Sequence, residues 1–401
     1  MTSSSKGSSS WPAVGFESCN WDPVRPIASH SLRDIVRRPY QAAIVPPIAM
    51  QNVVLSSETQ SAAAEATAAI AAFDAEVGKG LIPFEALLLR SESAASSQIE
   101  QLTASAKSVL MAEAGDESKA NARVIAANTI AMRRAIALAD DLSGQAIIEM
   151  HRTLLAESAP EIVGHWRDQQ VWIGGRLSSP HDATFVPPHH DRIPAAMDDL
   201  IAFLLRTDVP AFQQALLGHA QFETIHPFPD GNGRTGRALL HALLKAKGLA
   251  RSATVPISAG LLLNTSTYFE ALGAYRTGDP DTIVRLGAEA TFLAIENARQ
   301  LAADVSAVQD VWRIKLSHLR SDALAHRVVE ILPASPIVYG TDLMERFAVS
   351  APTANSALAT LNEVGILTRA NAGLKFRRWI AHDIATALDN FAARSGRRSY
   401  P

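Results

Sequence analysis

The sequence predicts a mainly α-helical fold, in which a helical body is interrupted by one β-hairpin and followed by a small C-terminal helix–turn–helix module. Three observations carry that expectation. Most of the 401 residues lie in alanine- and leucine-rich runs with helical spacing of their apolar positions. Between Gly164 and Pro188 this period breaks: Gln170-Val171-Trp172-Ile173 is β-prone, Gly174-Gly175 is a strong turn, and Thr184-Phe185-Val186-Pro187-Pro188 is a second short extended run. After Trp312 three short helical runs precede two segments, 365–369 and 374–380, that alternate like strands around a turn at 370–373.

In chain order, Thr2 to Ser10 is polar and low in complexity, which predicts a disordered tail. The stretch 11–47 is studded with prolines and aromatics (Trp11, Phe16, Trp21, Pro23, Pro26, Tyr40) and suits an irregular arm packed on another part of the chain. Helices are expected at 58–73, 83–89, 93–111 and 119–138, the last with Val124, Ala127, Ile130 and Ala131 on one stripe. Ser143 is placed to cap a helix over 144–155. Beyond the hairpin, helices are expected at 194–206, 211–225, from the turn at 231–233 to about 248, 267–275, 280–305, 321–332, 340–347, 350–364 and 383–394. This segments the chain into a tail (1–10), an arm and N-terminal helical region (11–110), a core (111–305) and a C-terminal domain (306–401).

Composition bounds the classes of function. Hydrophobic residues at 47% and charged residues at 19% fit a soluble globular protein, and a net charge of −3 neither favours nor excludes nucleic acid as a bulk partner. The single Cys19 excludes an intramolecular disulfide framework and fits a reducing cytosol. With no run of about twenty apolar residues and no signal-peptide core after the tail, cytoplasmic placement is the expectation.

The chemistry concentrates in His226-Pro-Phe-Pro-Asp-Gly-Asn-Gly-Arg-Thr-Gly-Arg237. Gly231-Asn232-Gly233 permits positive φ and close approach of backbone N–H groups to a ligand. An apolar run begins at Ala238, so the turn opens a helix whose N-terminus is an anion site. Arg234 and Arg237, three apart, can reach one polyphosphate. Asp230 is placed to hold Mg²⁺ against phosphate oxygens, and His226 is the nearby side chain able to take a proton near neutral pH. His219, Glu223 and His226 have a helical spacing that also admits metal ligation, or a role for Glu223 in orienting a neighbour.

These twelve residues resemble the signature of the Fic family, His-x-Phe-x-(Asp/Glu)-Gly-Asn-Gly-Arg-x-x-Arg, at every specified position: His226, Phe228, Asp230, Gly231, Asn232, Gly233, Arg234 and Arg237. The resemblance extends over about Trp11 to Val305. It implies a helical Fic core with a β-hairpin flap, and an enzyme that transfers AMP from ATP, with Mg²⁺, to a Tyr, Thr or Ser hydroxyl of a target protein. Carried over, His226 is the general base, Asp230 the metal ligand, and the N–H groups of Gly231, Asn232 and Gly233 the phosphate cradle. Arg234 and Arg237 neutralise the outer phosphates, and Phe228 anchors the loop. Asn264, Tyr268 and Tyr275 fall where related sequences contribute to the nucleotide pocket, although Tyr268 and Tyr275 read equally as core aromatics. Gln170, Val171, Trp172, Ile173 and Gly174 correspond to the flap that pairs with an extended target segment, or else form a structural hairpin over the core.

Upstream, Ser96-Ser97-Gln98-Ile99-Glu100-Gln101 resembles the family's inhibitory motif (Ser/Thr)-x-x-x-Glu-(Gly/Asn), with Gln101 as the departure. Ser96 and Glu100 share a helix face. The resemblance implies a class II member in which Glu100 occupies Arg237, blocks the γ-phosphate, and in some relatives also supports AMP removal; as an isolated pattern it is a solvated helix face. The C-terminal pattern is that of a winged helix, which binds DNA or serves as a docking or dimer module. Its third helix opens Ala351-Pro-Thr-Ala-Asn355-Ser without Lys or Arg, whereas Arg369, Lys375, Arg377 and Arg378 cluster on the wing. A homodimer is common among relatives. Two further functions compete: phosphoryl or phosphocholine transfer on the same fold, and a DNA-binding regulator with a nucleotide-sensing core.

Overall fold

The protein is described here from a computed structural model covering residues 11–21, 38–79, 84–139, 141–156, 158–175, 179–370 and 377–396. The expected tail, Pro23, Pro26, the helix start at Pro83, the turn at 371–373 and Lys375 lie outside the described residues. The chain forms two compact units, each assembled from separated stretches: residues 1–67, 134–249 and 264–288 in the first, and 68–133, 250–263 and 289–401 in the second.

The first unit is built around a central antiparallel helix pair, α7 (Ala211–Ile225) and α8 (Asn232–Ala246). Helix α7 is buried on all sides, including its polar positions, which marks it as the interior element. Two of those polar side chains are anchored by long-range bonds. Gln214 donates to the Phe203 carbonyl at 2.7 Å, and Gln221 donates to the Pro46 carbonyl at 2.9 Å while accepting from the Tyr275 hydroxyl at 2.8 Å. Around the pair lie α5 (Gly144–Leu155), α6 (Ile193–Leu204) and α10 (Thr265–Arg276). Ser143 caps α5 as expected, its hydroxyl accepting from Ala146 N–H.

The arm is more regular than its prolines suggest. Strands β1 (Gly15–Cys19) and β2 (Tyr40–Ile44) form an antiparallel ribbon with Glu17 opposite Ala42. Trp11 is buried against Phe203 and Tyr275, Val14 N–H donates to the Arg276 carbonyl, and Asp199 accepts from the N–H groups of Ile48 and Ala49. These long-range bonds hold the described parts of the arm: their backbone donors find acceptors on helices far away in sequence.

The second unit contains α2 (Glu85–Ile99), α3 (Ala106–Glu113), most of α4 (Ala120–Ala137) and α9 (Ile257–Leu262). The sequence divided the first of these stretches at 83–89 and 93–111; the structure has one helix to Ile99, a break, and a new start capped by Ser105. The polar Ser91-Glu92-Ser93 is buried without interrupting α2, and its charged member is bonded: Glu92 accepts from the N–H and the hydroxyl of Ser258 on α9. The chain reverses at Gln101, which has a positive φ of 61°. Helix α11 (Asp281–Leu316) runs eleven residues past its expected end at Val305, since no Pro or Gly stops it.

The C-terminal part comprises α12 (Leu324–Ile331), β3 (Ile337–Tyr339), α13 (Gly340–Phe347), α14 (Ala351–Glu363), β4 (Thr368–Arg369), β5 (Arg378–Ile380) and α15 (His382–Arg394). β5 pairs antiparallel with both β3 and β4, a sheet order of β3-β5-β4; β3 is a strand the sequence reading missed. The fully buried Trp312 donates from Nε1 to Asp383 at 2.8 Å, which ties α11 to α15. Among the described residues no helix is long and apolar enough to cross a membrane.

One glycine fixes the packing of α9 on α11. A Cβ at Gly260 would lie 2.1 Å from the Ala290 carbonyl oxygen, which is backbone and cannot swing aside. Gly260→Ala should therefore lower stability by about 3 kcal/mol, read as a fall in the denaturant midpoint; an unchanged midpoint would show that this contact can relax.

Candidate functional site

The α7–α8 turn builds the site. Helix α7 ends at His226, whose backbone is left-handed (φ 51°, ψ 62°) and whose N–H donates to the Phe222 carbonyl. Left-handed geometry is uncommon for a residue with a Cβ, so something must hold it. Gly231, also left-handed at φ 76°, starts α8, and a Cβ there would press on Leu155 at 3.0 Å. The loop between them is clipped by Asn232: its Oδ1 accepts from the Phe228 N–H at 2.9 Å, and its Nδ2 donates to the Phe228 carbonyl at 2.8 Å. Phe228 is completely buried, stacked flat on His151 at 3.7 Å and flanked by Trp166 and Phe222. That is the anchoring role the sequence assigns to it.

His151 supports the loop from beneath. Its Nε2 donates to the Asp230 carbonyl at 2.9 Å, and burial pushes its pKa down to about 4, so it stays neutral. His219 is buried on α7, shares a 2.8 Å hydrogen bond with the Tyr268 hydroxyl, and is pushed down to about 3 by burial and then by the charge of Arg237. Tyr268 is thus a core side chain with its hydroxyl turned to His219. Tyr275 is likewise buried, on Gln221.

The groups available for chemistry line the turn and the first turns of α8. Thr235 N–H donates to the Gly231 carbonyl, so α8 opens at Gly231 and its first turn has the character of a helix N-terminus. Arg234 and Arg237 follow on the first two turns and are only 4% and 2% exposed. Asp230 is the exposed member: one carboxylate oxygen accepts from Gly231 N–H at 2.6 Å, and the other lies 3.9 Å from Arg234. An exposed carboxylate beside helix N–H groups and two arginines suits a hard cation carried with a polyphosphate. His226 Nδ1 lies 3.9 Å from Glu223.

Sequence reasoning missed Arg167. This 2%-exposed guanidinium donates to three backbone carbonyls: His226 at 2.9 Å, Gln169 at 2.8 Å and Pro188 at 2.6 Å. Its own N–H donates to the Pro227 carbonyl. It therefore holds the left-handed His226 and both ends of the hairpin excursion with one planar fork. A lone Arg between Trp166 and Asp168 has no pattern that announces this.

The hairpin is reduced. Among the described residues Ile173 and Phe185 form a single bridge, with Gly174 and Gly175 both left-handed. Gln170 is held by the Tyr40 hydroxyl and donates to the Val171 and Pro187 carbonyls, while Val171, Trp172 and Ile173 remain half-buried. Among the described residues the ladder stops there because its next pair would be Val171 with Pro187, which has no N–H to donate, and Gln170 takes the Pro187 carbonyl.

His226, Asp230, Gly231, Asn232, Gly233, Arg234, Arg237 and the flap residues all belong to the first unit. Asn264 is exposed and caps α10 through Thr267 N–H. Ser96 and Glu100 belong to the second unit, Ser96 fully buried and Glu100 exposed as the C-cap of α2. Gln101 stands at φ 61° where the inhibitory motif has Gly or Asn, the two residues that tolerate that geometry best. Close metal-like spacing occurs, among the described residues, at His189, His190 and Asp191 and not at His219, Glu223 and His226.

The neutral, buried His151 makes stability pH-dependent. Its folded pKa lies below the ordinary 6.5, so the unfolded chain binds the extra proton, and the stability is full above pH 6.5 and lost as pH falls toward 4. The loss is of order 3 kcal/mol. His151→Gln should flatten this acid limb in thermal melts between pH 4 and 6.5; an unchanged limb would place the sensitivity elsewhere.

Comparison with known proteins agrees with this geometry. Residues 141–244, which lie within the first unit, match the model of the Fic/DOC family. Protein adenylyltransferase Fic of Nematostella vectensis is 31% identical over 153 residues, 37% of this chain and 32% of that protein. Protein adenylyltransferase fic-1 of Caenorhabditis elegans is 26% identical over 160 residues, 39% of this chain and 28% of that protein. A probable protein adenylyltransferase of Aquifex aeolicus is 25% identical over 177 residues, 40% of this chain and 53% of that protein. The first two matches thus span about three tenths of the relatives' length. A crystal structure of a Fic family protein from Desulfovibrio desulfuricans superposes with a TM-score of 0.54 at 21% identity, covering 82% of this chain and 97% of that one, which shows a shared fold. Residues 141–244 thus match the Fic/DOC family model and are similar in sequence to protein adenylyltransferases.

Proposed function

We propose that the protein transfers AMP from ATP to a Tyr, Thr or Ser hydroxyl of a target protein. The observation that supports this most is the single turn that joins a fixed imidazole, His226, to an exposed carboxylate, Asp230, and to a helix N-terminus bearing two buried arginines. In this reading His226 takes the proton of the target hydroxyl, the hydroxyl oxygen bonds to the α-phosphorus, and the α–β bridging bond breaks to release pyrophosphate. The N–H groups of Asn232 and Gly233 face the phosphates, the Gly231 N–H holds the Asp230 carboxylate beside them, and Arg234 and Arg237 neutralise the phosphates. Asp230 would hold Mg²⁺, which supplies charge neutralisation for the leaving pyrophosphate. The flap from Gln170 to Gly174 offers backbone for strand addition by the target. Tyr268, bonded to His219, fixes a wall of the nucleotide pocket from within the core, and Asn264 stands at the capped start of the same helix.

The brake is part of the same proposal. Glu100 engages Arg237 and displaces the γ-phosphate, with Ser96 on the same helix face; the left-handed Gln101, at the position of the motif's Gly or Asn, supports that assignment. The order of the C-terminal helices and the β3-β5-β4 sheet supports reading this part as a winged helix. Its third helix, α14, exposes Thr353, Asn355, Ser356 and Asn362 and has no Lys or Arg, so protein docking suits it better than duplex DNA.

Intact-mass analysis of Glu100→Gly with ATP and Mg²⁺ tests the chemistry. A gain of one AMP, on the protein itself or on a co-incubated target, is expected, with no gain when His226→Ala is added. A phosphate-sized gain would replace AMP transfer by phosphoryl transfer. Equal gain in wild type and Glu100→Gly would remove the brake. In the Glu100→Gly background, Arg167→Ala should slow single-turnover transfer by roughly 10²-fold, because His226 shifts with its backbone; a rate within twofold of the parent would show that the clamp does not position the base.

A further inference from the structure

Among the described residues outside the α7–α8 turn, one cluster of side chains has the chemistry of a metal site. His189, His190 and Asp191 follow Pro188 directly, at the start of a short 3₁₀ turn. His189 Nδ1 lies 3.3 Å from one Asp191 carboxylate oxygen, and His190 Nε2 lies 3.6 Å from the other. The ligand atoms of all three residues are within 4.8 Å of one another, and the two rings face each other with centroids 4.1 Å apart. Ligand bonds of 2.0–2.2 Å around a tetrahedral ion place neighbouring donors about 3.3–3.5 Å apart. The His189 separation falls at that value and the His190 separation just beyond it, each to its own oxygen of the 79%-exposed Asp191 carboxylate, which can turn one oxygen to both rings; both exceed the 2.7–2.9 Å of a charge-assisted hydrogen bond.

A second observation concerns what lies beside the cluster. His189, Asp191 and Arg192 form one wall of an open depression whose other wall is Glu17, Cys19 and Asn20, at the end of β1. Arg192 is not a free repelling charge, because it grips both carboxylate oxygens of Glu17 at 2.6 and 2.7 Å. The same pair fixes the two walls relative to each other and leaves the space between them open to solvent. His190 Nδ1 is buried, so the ring presents its Nε2 edge to Asp191.

We infer that His189 Nδ1, His190 Nε2 and the Asp191 carboxylate form an exchangeable zinc-type site, with the fourth coordination position open to the depression lined by Glu17 and Cys19. Two imidazoles and a carboxylate are a borderline donor set that selects late first-row divalent ions such as zinc over Mg²⁺ or Ca²⁺. The open fourth corner makes it a site that takes water or a donor from outside, in contrast to a closed structural centre. Zinc there would tie the segment that follows the flap into a fixed turn, one residue beyond the Pro188 carbonyl that Arg167 holds. This site is separate from the proposed Mg²⁺ ligand Asp230 and does not depend on AMP transfer.

The test is equilibrium titration of the untagged, metal-stripped full chain with zinc against a chromophoric chelator, with melting temperature as a second readout. The expected result is one equivalent bound at micromolar or tighter affinity, a rise in melting temperature with zinc, and loss of both in His190→Ala and Asp191→Asn. Cys19→Ser should retain the stoichiometry, which separates this site from adventitious capture by the free thiol. Absence of stoichiometric binding in wild type overturns the inference. So does binding that persists in His190→Ala or disappears in Cys19→Ser. Far-ultraviolet circular dichroism of each variant without zinc verifies that loss of binding is not loss of fold.

Discussion

The hydrogen bond from Arg167 to the His226 carbonyl is the constraint on which the proposed chemistry depends. A helix that ended in the usual right-handed geometry would carry the His226 side chain away from the turn at 230–233. The left-handed residue that prevents this has a Cβ and costs about 1–2 kcal/mol. A buried guanidinium with three carbonyl partners, each bond charge-assisted, can offset that cost. Burial also tunes the fork itself, pushing the Arg167 pKa down to about 10, still far above neutrality, so the clamp stays charged. From the other side the Asn232 clip and the Phe228–His151 stack remove the remaining freedom of the loop. Catalytic groups on a loop then behave like groups on a rigid element.

Much of this was legible in the sequence, and the reasons differ by element. The turn at 231–233, the helix after it and the Ser143 cap rest on local chemistry, and local chemistry is what a linear pattern records. The anchor role of Phe228 was legible for the same reason. The clamp by Arg167, the His151 stack and the His219–Tyr268 bond were not, because each joins residues tens of positions apart and none has a distinctive spacing. The arm and the hairpin erred in opposite directions. In the described parts of the arm long-range backbone bonds support a ribbon, while Pro187 and Pro188, which have no N–H, end the hairpin after a single bridge.

The second unit shows the same principle in its core. Read alone, Ser91-Glu92-Ser93 looks like the end of a helix. Inside the protein, Glu92 is fully buried against the N-terminus of α9, where the Ser258 N–H and hydroxyl receive it. A buried carboxylate is tolerated when it meets helix-start donors. The close approach of Gly260 to Ala290 then sets α9 against α11, so a six-residue helix that propensity alone would not support becomes a fixed element.

The Arg167 clamp has an evolutionary consequence. Its three acceptors are carbonyl oxygens, which every amino acid supplies, so the contact reads the path of the chain and not the identity of its side chains. Residues between Gln169 and Pro188 can therefore be exchanged without disturbing the position of His226, provided the path is kept. That separation would let a lineage of such proteins vary the surface it presents to partners while its reactive centre stays unaltered.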